Sequence, residues 1–255
     1  MSELTPYQAD RYSRQVLCEH VCEAGQTDIC GGHVALVGVG AIGSAALNML
    51  ARAGVGTLTL IDPDRIELSN LQRQTLYVEA DAEAGEPKAE AAARGALAIN
   101  STLCVRPVVA RVDGANAEEL LEGVDVIVDG IDDFRARYIL NDVACKMGIP
   151  YIYGAVLGSF GVTMSIAPGK PCLQCLFPEP PESWDTAATR GVLAAVVNTV
   201  ASLQVVEALK VLMGRTEDLA EGMFQIDVWD RTVDVVEIAR QEDCPSCAGA
   251  YKFLA

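Results

Sequence analysis

Basic residues are scarce in this chain. Its 255 residues include 19 Lys and Arg against 35 Asp and Glu, which gives a formal net charge of −16 at pH 7. A nucleic-acid backbone binds basic protein surfaces and is repelled by acidic ones. We therefore expect no nucleic-acid partner, and instead a small molecule or another protein.

Long uninterrupted apolar runs are also missing. The longest apolar stretches are broken by Gly, Asn, Gln or Glu, and the N-terminus carries no apolar signal segment. These absences predict no membrane span and a cytoplasmic protein. The nine cysteines, an odd number in a chain without a secretory signal, favour reduced thiols or metal ligands over a disulfide framework.

The chain has the pattern of one large α/β domain. Its hydrophobic fraction of 51% is enough to bury a sizeable core. Apolar strands alternate with helical segments, which predicts a Rossmann-like, mostly parallel sheet with an antiparallel extension. The predicted helices are 41–53, 81–98, 134–147 and 191–213, and the predicted strands are 34–37, 57–61, 103–112, 124–130, 149–154, 161–166 and a pair within 224–238.

A glycine-rich loop, residues 38–43, joins the first predicted strand to the first helix. Gly38 permits a tight turn, Gly40 lets backbone N–H groups approach a phosphate, and Gly43 lets the helix pack closely on the strand. Asp62 ends the second strand, where such folds hydrogen-bond a ribose hydroxyl. The loop therefore predicts a nucleotide site, and taken alone it favours NAD or FAD.

The polar loop that follows the second strand favours ATP instead. It contains Ser69, Asn70, Arg73 and Gln74, and Lys88 comes shortly after it. Two fixed cations, Arg73 and Lys88, suit a triphosphate better than a nicotinamide, because they can balance the charge of a leaving pyrophosphate.

Two adjacent carboxylates follow the predicted strand 124–130. Asp132 and Asp133 lie at its carboxyl end, where ligands bind in such folds. Paired aspartates there suit Mg²⁺ held against phosphate oxygens. The alternative is capping of helix 134–147, and one aspartate can cap while the other binds metal.

Two Cys-x-x-Cys pairs stand far apart in the sequence. Together they supply four thiolates, which predicts one structural zinc in a C-terminal zinc knuckle. The four predicted ligands are Cys172, Cys175, Cys244 and Cys247.

The other five cysteines have no such pattern. Cys18 and Cys22 lie one helical turn apart, and without a nearby His we favour ordinary packing over a ligand pair. Cys30, Cys104 and Cys145 fall beside or within predicted core elements, where apolar surroundings raise a thiol pKa.

Several of these motifs, in this order and spacing, resemble the ThiF/MoeB/HesA family, the bacterial relatives of ubiquitin-activating enzymes. The match covers nearly the whole chain. The segments that carry it are 11–15, 38–43, 53–56, 69–74, 87–88, 132–134, 171–175 and 202–204.

The resemblance implies an enzyme that adenylates the C-terminal glycine of a small ubiquitin-like sulfur-carrier protein. The reaction would use MgATP and release pyrophosphate, usually in a homodimer, with a separate sulfur donor because no rhodanese-like extension follows the knuckle. It implies a helical arm (1–32), a nucleotide-binding core (33–170), a crossover loop (171–190) and a carrier-binding and zinc-knuckle part (191–255). Whether the carrier serves thiamin, molybdopterin, cysteine or a secondary metabolite stays open.

The resemblance also implies residue roles. Asp132 would bind Mg²⁺, and Arg14 would reach across the dimer into the partner's triphosphate site. The implied catalytic residues are Arg14, Arg73, Lys88 and Asp132. The implied nucleotide-binding residues are Gly38, Gly40, Ala41, Gly43, Asp62, Ser69, Asn70, Arg73, Gln74, Lys88 and Asp132.

Two departures from the family pattern stand out. Asp133 replaces the family's Asn beside the magnesium ligand. Many members carry a cysteine four residues before the Gly-Val pair that starts the long helix, and here that position is Ala187. The enzyme is then expected to stop at the acyl-adenylate, which an external persulfide or sulfide attacks. The alternatives are a catalytically inert carrier-binding relative and an NAD-dependent oxidoreductase.

Overall fold

In the computed structural model, which describes residues 3–183 and 185–254, eight β-strands form one sheet. The strands are β1 His33–Val37, β2 Thr57–Ile61, β3 Cys104–Val108, β4 Val126–Asp129, β5 Tyr151–Leu157, β6 Phe160–Ile166, β7 Met223–Asp227 and β8 Thr232–Val236.

The order across the sheet is β3-β2-β1-β4-β5-β6-β7-β8. Strands β3, β2, β1, β4 and β5 pair in parallel. Strands β5 to β8 pair antiparallel. The predicted Rossmann-like sheet with an antiparallel extension is therefore confirmed.

Helices cover both faces of the sheet, as parallel strands require when both their faces are apolar. In chain order the α-helices of the described segments are α1 Pro6–Arg11, α2 Cys22–Gly31, α3 Ala41–Ala53, α4 Glu79–Ala84, α5 Lys88–Ile99, α6 Ala117–Leu120, α7 Phe134–Met147, α8 Leu173–Leu176, α9 Ala187–Arg190 and α10 Ala194–Leu212.

Two hydrophobic cores lie on opposite faces. On one face, α3, α5 and α10 pack side chains such as Leu50 and Val200 against the strands. On the other face, α7 and the two Cys-x-x-Cys segments enclose Tyr138 and Tyr151, both fully buried. The parallel strands β1 and β4 lie between these cores, so packed side chains on both faces support the sheet edge at their carboxyl ends.

Helix α10 is long and apolar enough to cross a membrane by length and composition, with a mean hydropathy of 1.5. In the structure it packs against α3 and against strands β4, β5 and β6. A core helix of an α/β sheet meets the same length and hydropathy criteria, and these contacts make α10 such a helix.

Some predicted elements were wrong in extent. The predicted helix 81–98 is two helices, α4 and α5, because Gly85 adopts a left-handed conformation (φ +57°) and Pro87 precedes α5. The predicted strand 103–112 ends at Val108, and the following residues run into a cleft. The segment 171–190, which was expected to be a crossover loop, contains α8 and α9, and its Trp184 lies outside the described residues.

Candidate active site

A central cleft of about 740 Å³ opens at the carboxyl ends of β1, β2 and β4. This edge is where ligands bind in doubly wound sheets. The cleft brings together the predicted residues Gly38, Gly40, Ala41, Asp62, Asn70, Arg73, Gln74, Lys88 and Asp132. The predicted residues Gly43, Ser69 and Arg14 do not line it.

The glycine loop (residues 38–43) is shaped by close backbone contacts. Gly38 has φ +83°, and a Cβ there would lie 2.6 Å from the carbonyl of Gly130. A Cβ at Gly43 would lie 1.9 Å from the carbonyl oxygen of Gly38. Gly40 differs, since a Cβ there would meet nothing nearer than Gln74 Nε2 at 3.7 Å. The space above Gly40 therefore belongs to the cleft.

Asp62 holds the glycine loop in place. Its side chain is buried, and its Oδ2 accepts a hydrogen bond of 2.8 Å from the Val39 N–H. Its Oδ1 accepts a hydrogen bond of 2.8 Å from the Asp64 N–H. Burial raises the pKa of the Asp62 carboxyl, and the charge of Lys88 opposes that rise. Each oxygen keeps a further lone pair, so Asp62 can also accept from a ligand hydroxyl.

Lys88, the first residue of α5, lies at the same side of the cleft. Its side chain is only 10% exposed, and its Nζ lies 3.0 Å from Asp64 Oδ2. The Asp64 side chain is 57% exposed. A mostly buried ammonium paired with an exposed carboxylate can exchange that partner for a stronger anion, such as a phosphate, that enters the cleft.

Tyr77 links the glycine loop to α5, a role that the sequence did not indicate. Its buried hydroxyl lies 2.7 Å from the Val39 carbonyl oxygen and 3.2 Å from the Lys88 carbonyl oxygen, and it can donate its one proton to either. Burial raises the pKa of this phenol well above its ordinary value. The hydroxyl therefore stays neutral and acts as a donor.

The polar loop (residues 69–74) lies beside the cleft and begins within a short 3₁₀ helix, Leu68–Asn70. Arg73 Nη1 donates to the Ser69 carbonyl oxygen at 3.0 Å, so Ser69 supports Arg73 from outside the cleft. Asn70 Oδ1 accepts from the Glu67 N–H at 3.2 Å. Gln74 is buried, and its Oε1 has no hydrogen-bond partner among the described residues. A buried polar atom without a partner at a cleft wall is typical of a ligand site.

The two adjacent aspartates have separate roles. Asp133 Oδ1 accepts hydrogen bonds from the N–H groups of Arg135 and Ala136, and so caps α7. Its Oδ2 lies 3.7 Å from Arg111 Nη1. Asp132 is exposed to the cleft, and its side chain forms no hydrogen bond or ion pair within the described residues. Asp132 is thus the carboxylate available to a ligand.

An ion pair lies beneath the aspartates, and sequence reasoning gave it no role. Asp129 is fully buried at the end of β4, and its Oδ2 lies 3.1 Å from Arg137 Nε. Burial raises the pKa of the Asp129 carboxyl, and the Arg137 guanidinium opposes that rise. The available signal was an acidic residue closing an apolar strand, followed by an arginine on the next helix.

Arg14 lies away from the cleft, in the segment between α1 and α2. It is exposed and forms no hydrogen bond or ion pair with the described residues. Its neighbours are fixed: Tyr12 is buried and accepts from Asn100 Nδ2 at 3.0 Å. Gln15 Nε2 donates to Gln26 Oε1 at 2.7 Å. Arg14 is therefore displayed outward from an anchored segment.

Four cysteines form a compact cluster outside the cleft. Their Sγ atoms all lie within 4.8 Å of one another, and the Sγ–Sγ distances between neighbouring cysteines run from 3.4 to 3.9 Å. Tetrahedral zinc with Zn–S bonds of about 2.3 Å requires sulfur atoms about 3.8 Å apart. The geometry therefore fits a zinc ion, as the spacing predicts. The cluster consists of Cys172, Cys175, Cys244 and Cys247.

The remaining thiols differ from expectation in part. Cys30 is half-buried, and burial raises the pKa of its thiol, as predicted. Cys104 is exposed, contrary to the prediction, because β3 is an edge strand covered by β2 on one side only. Cys18 and Cys22 are also exposed rather than packed. Ala187 does line the cleft, where it offers a methyl group in place of a nucleophile.

Comparisons with known proteins agree with this geometry. The sequence model of the ThiF family matches residues 12–246. The SAMP-activating enzyme E1 of Haloferax volcanii is 41% identical over 242 residues, which cover 94% of this chain and 89% of that protein. The sulfur carrier protein ThiS adenylyltransferase of Bacillus subtilis is 41% identical over 249 residues, covering 96% and 74%.

A solved structure has the same fold. Escherichia coli MccB with ATP superposes with a TM-score of 0.81 at 25% identity, covering 93% of this chain and 74% of that one. The family match spans most of the chain, and the relatives exceed the identity at which a fold and its family are shared. The chain belongs to the ThiF family.

Proposed function

We propose that this protein adenylates the C-terminal glycine of a small ubiquitin-like sulfur-carrier protein, using ATP and releasing pyrophosphate, and so prepares the carrier for thiocarboxylate formation. The observation that carries the proposal is the convergence of the glycine loop, Arg73, Lys88 and Asp132 on one cleft. Relatives named as activating SAMP and ThiS carriers support the same reaction.

The nucleotide would bind along the carboxyl edge of the sheet. The N–H groups of the glycine loop and the N-terminus of α3 suit phosphate oxygens. Asp62, already fixed by the Val39 N–H, would accept a hydrogen bond from the ribose. The unpaired Oε1 of Gln74 would accept a hydrogen bond from the nucleotide. Arg73 and Lys88 would hold the phosphates. Asn70 and Ala41 line the same wall.

Asp132 would hold the magnesium ion that accompanies ATP. Its carboxylate is exposed in the cleft and has no partner among the described residues. Mg²⁺ prefers one or two carboxylates together with phosphate oxygens and water, and this donor set fits that preference. When bound, the ion supplies positive charge against the phosphate oxygens.

The chemistry needs no side-chain nucleophile. A carboxylate oxygen of the carrier attacks the α-phosphorus, and the bond from that phosphorus to the oxygen bridging to the β-phosphate breaks. Pyrophosphate leaves with the electron pair. Lys88 and Arg73 would stabilise the charge that develops on it, and the fixed cleft would align the reactants.

Arg14 would complete the phosphate site of a second copy in a homodimer. Within its own chain it lies outside the cleft and has no partner among the described residues. An exposed arginine between two anchored neighbours, Tyr12 and Gln15, suits insertion into a neighbouring site. Ser69 and Gly43 would act indirectly, by supporting Arg73 and the glycine loop.

The four-cysteine cluster would bind one structural zinc ion. It joins the start of the crossover segment to the C-terminal segment, and its cysteines lie outside the cleft. The metal would thus stabilise the fold without taking part in the chemistry.

Sulfur would come from a separate donor. Ala187 lines the cleft where many family members have a cysteine, so the acyl-adenylate would react with an external persulfide or sulfide. We place the reaction in the cytoplasm, where such donors and reduced thiols are found.

The rival functions predict different assay results. ATP–pyrophosphate exchange should require a carrier that ends in glycine, and the same carrier without that glycine should give none. An inert carrier-binding relative would bind the carrier without exchange. An oxidoreductase would bind nicotinamide, detected by absorbance, and neither result would be compatible with the proposal.

A further inference from the structure

The buried ion pair of Asp129 and Arg137 contacts the residue just before the proposed magnesium ligand. We propose that this pair is a positioning device that clamps the backbone of Ile131 and thereby fixes Asp132 for metal binding. The inference rests on the proposed function for the identity of the ligand, but the clamp itself is a property of the metal-free chain.

Each member of the pair holds one side of the same residue. The Ile131 N–H donates to Asp129 Oδ1 at 3.0 Å. The Ile131 carbonyl oxygen accepts from Arg137 Nη2 at 2.7 Å. Arg137 Nε also donates to Asp129 Oδ2 at 3.1 Å, which closes the arrangement. Both polar groups of Ile131 are therefore bound to side chains whose own positions depend on each other.

The clamp is tied to the sheet from below. Arg137 Nη2 also donates to the Gly154 carbonyl oxygen of β5 at 3.0 Å. The Tyr151 hydroxyl donates to Asp129 Oδ2 at 2.7 Å. Asp129 is fully buried, and Arg137 is 5% exposed. Water therefore has little access to the pair, and its geometry follows that of β4 and β5.

This arrangement is better explained by positioning than by stability. A buried ion pair often contributes no more to stability than apolar residues of similar volume. The Asp132 side chain, by contrast, forms no hydrogen bond or ion pair within the described residues, so its direction depends on the backbone before it. A displacement of about 1 Å at a reacting site can reduce the rate by about a hundredfold.

The same loop also contacts the phosphate side of the cleft. A Cβ at Gly130 would lie 2.1 Å from the Gly38 carbonyl oxygen, so the backbones at these two glycines are in direct contact. The clamp on Ile131 therefore fixes the metal side of the cleft relative to the glycine loop.

Three variants separate positioning from general stability. In Arg137→Lys a single ammonium replaces the planar fork that reaches three acceptors at once. Asp129→Asn removes the charge that orients the fork. Arg94→Lys is the matched control, because Arg94 also pairs with carboxylates, those of Asp81 and Glu86, but contacts neither Asp129 nor Ile131.

The first measurement is hydrogen–deuterium exchange in the metal-free protein. Exchange at the Ile131 amide, which donates to Asp129 Oδ1, should accelerate in Arg137→Lys and Asp129→Asn and stay near the wild-type rate in Arg94→Lys. Equal protection in all four proteins would overturn the clamp, whether or not the protein adenylates a carrier.

The second measurement is Mn²⁺ binding in the presence of the ATP analogue AMPCPP, followed by electron paramagnetic resonance. Changing a residue that orients a metal ligand typically lowers the metal affinity by about 10–100-fold, and we expect this decrease for Arg137→Lys. Arg94→Lys should stay within about twofold of wild type, below that range. Equal weakening in Arg94→Lys, or failure of both clamp variants to fold, would overturn the proposal. Absence of Mn²⁺ binding by wild type would instead contradict the proposed function.

Discussion

Replacing one thiolate of the four-cysteine cluster should destabilise the fold more than it lowers activity. With zinc bound, the cluster would cross-link the roughly 70 residues between Cys175 and Cys244, and closing a loop of that length stabilises the folded state by about 4 kcal/mol in the chain-entropy estimate. In a protein of this size each kcal/mol shifts the melting temperature by about 2–4 °C. Cys244→Ser should therefore lower it by roughly 10 °C.

The assay is thermal unfolding by circular dichroism under reducing conditions, with the zinc content of each sample measured in parallel. Cys104→Ser is the matched control, since Cys104 is an exposed thiol outside the cluster. It should keep the wild-type melting temperature and one zinc ion per chain. Each folded Cys244→Ser molecule should keep most of the wild-type exchange activity although its melting temperature falls, because Cys244 does not line the cleft.

Two results would refute this reasoning. Freshly purified wild type with less than one zinc per chain would mean that the thiolates do not form the proposed site. A Cys244→Ser protein with full zinc content and an unchanged melting temperature would mean that the cluster does not cross-link the fold.

Three further predictions concern the cleft. Asp132→Ala and Arg14→Ala should each abolish exchange while remaining folded, and mixing them should restore part of the activity if Arg14 acts across a dimer; no recovery after verified subunit exchange would count against that. Tyr77→Phe should lower the free energy of unfolding by about 1–3 kcal/mol, because the buried Val39 carbonyl loses a donor, and should raise the KM for ATP more than it lowers kcat. An unchanged KM in steady-state kinetics would show that the link from Tyr77 to the glycine loop does not support ATP binding. Because Ala187 carries no thiol, intact mass spectrometry should find no thiol-sensitive adduct between this chain and the carrier. Such an adduct would disprove direct attack of an external sulfur donor on the acyl-adenylate.

The glycine loop could be predicted from sequence because its requirements are local. Gly38 needs a positive φ and Gly43 needs contact with the strand, and both needs follow from the turn itself. The end of β2 likewise places Asp62 beside the loop. The four-cysteine cluster was also predictable, since each Cys-x-x-Cys pair already sets the spacing of two ligands.

Other features depend on the tertiary arrangement. Asp129 and Arg137 meet at Ile131 only because α7 packs beside β5, a fact that the sequence of either element does not contain. Cys104 is exposed because its strand lies at the edge of the sheet, and strand order was not specified by the sequence pattern. The break between α4 and α5 was signalled by Gly85, but the alanine-rich composition of the segment outweighed that signal.

The central claim is tested most directly by ATP–pyrophosphate exchange with purified protein and its carrier. The account predicts rapid exchange that requires Mg²⁺, requires the terminal glycine of the carrier and is lost in Asp132→Ala. Exchange that proceeds without the carrier's terminal glycine, or no exchange by a folded protein that binds both ATP and carrier, would contradict it.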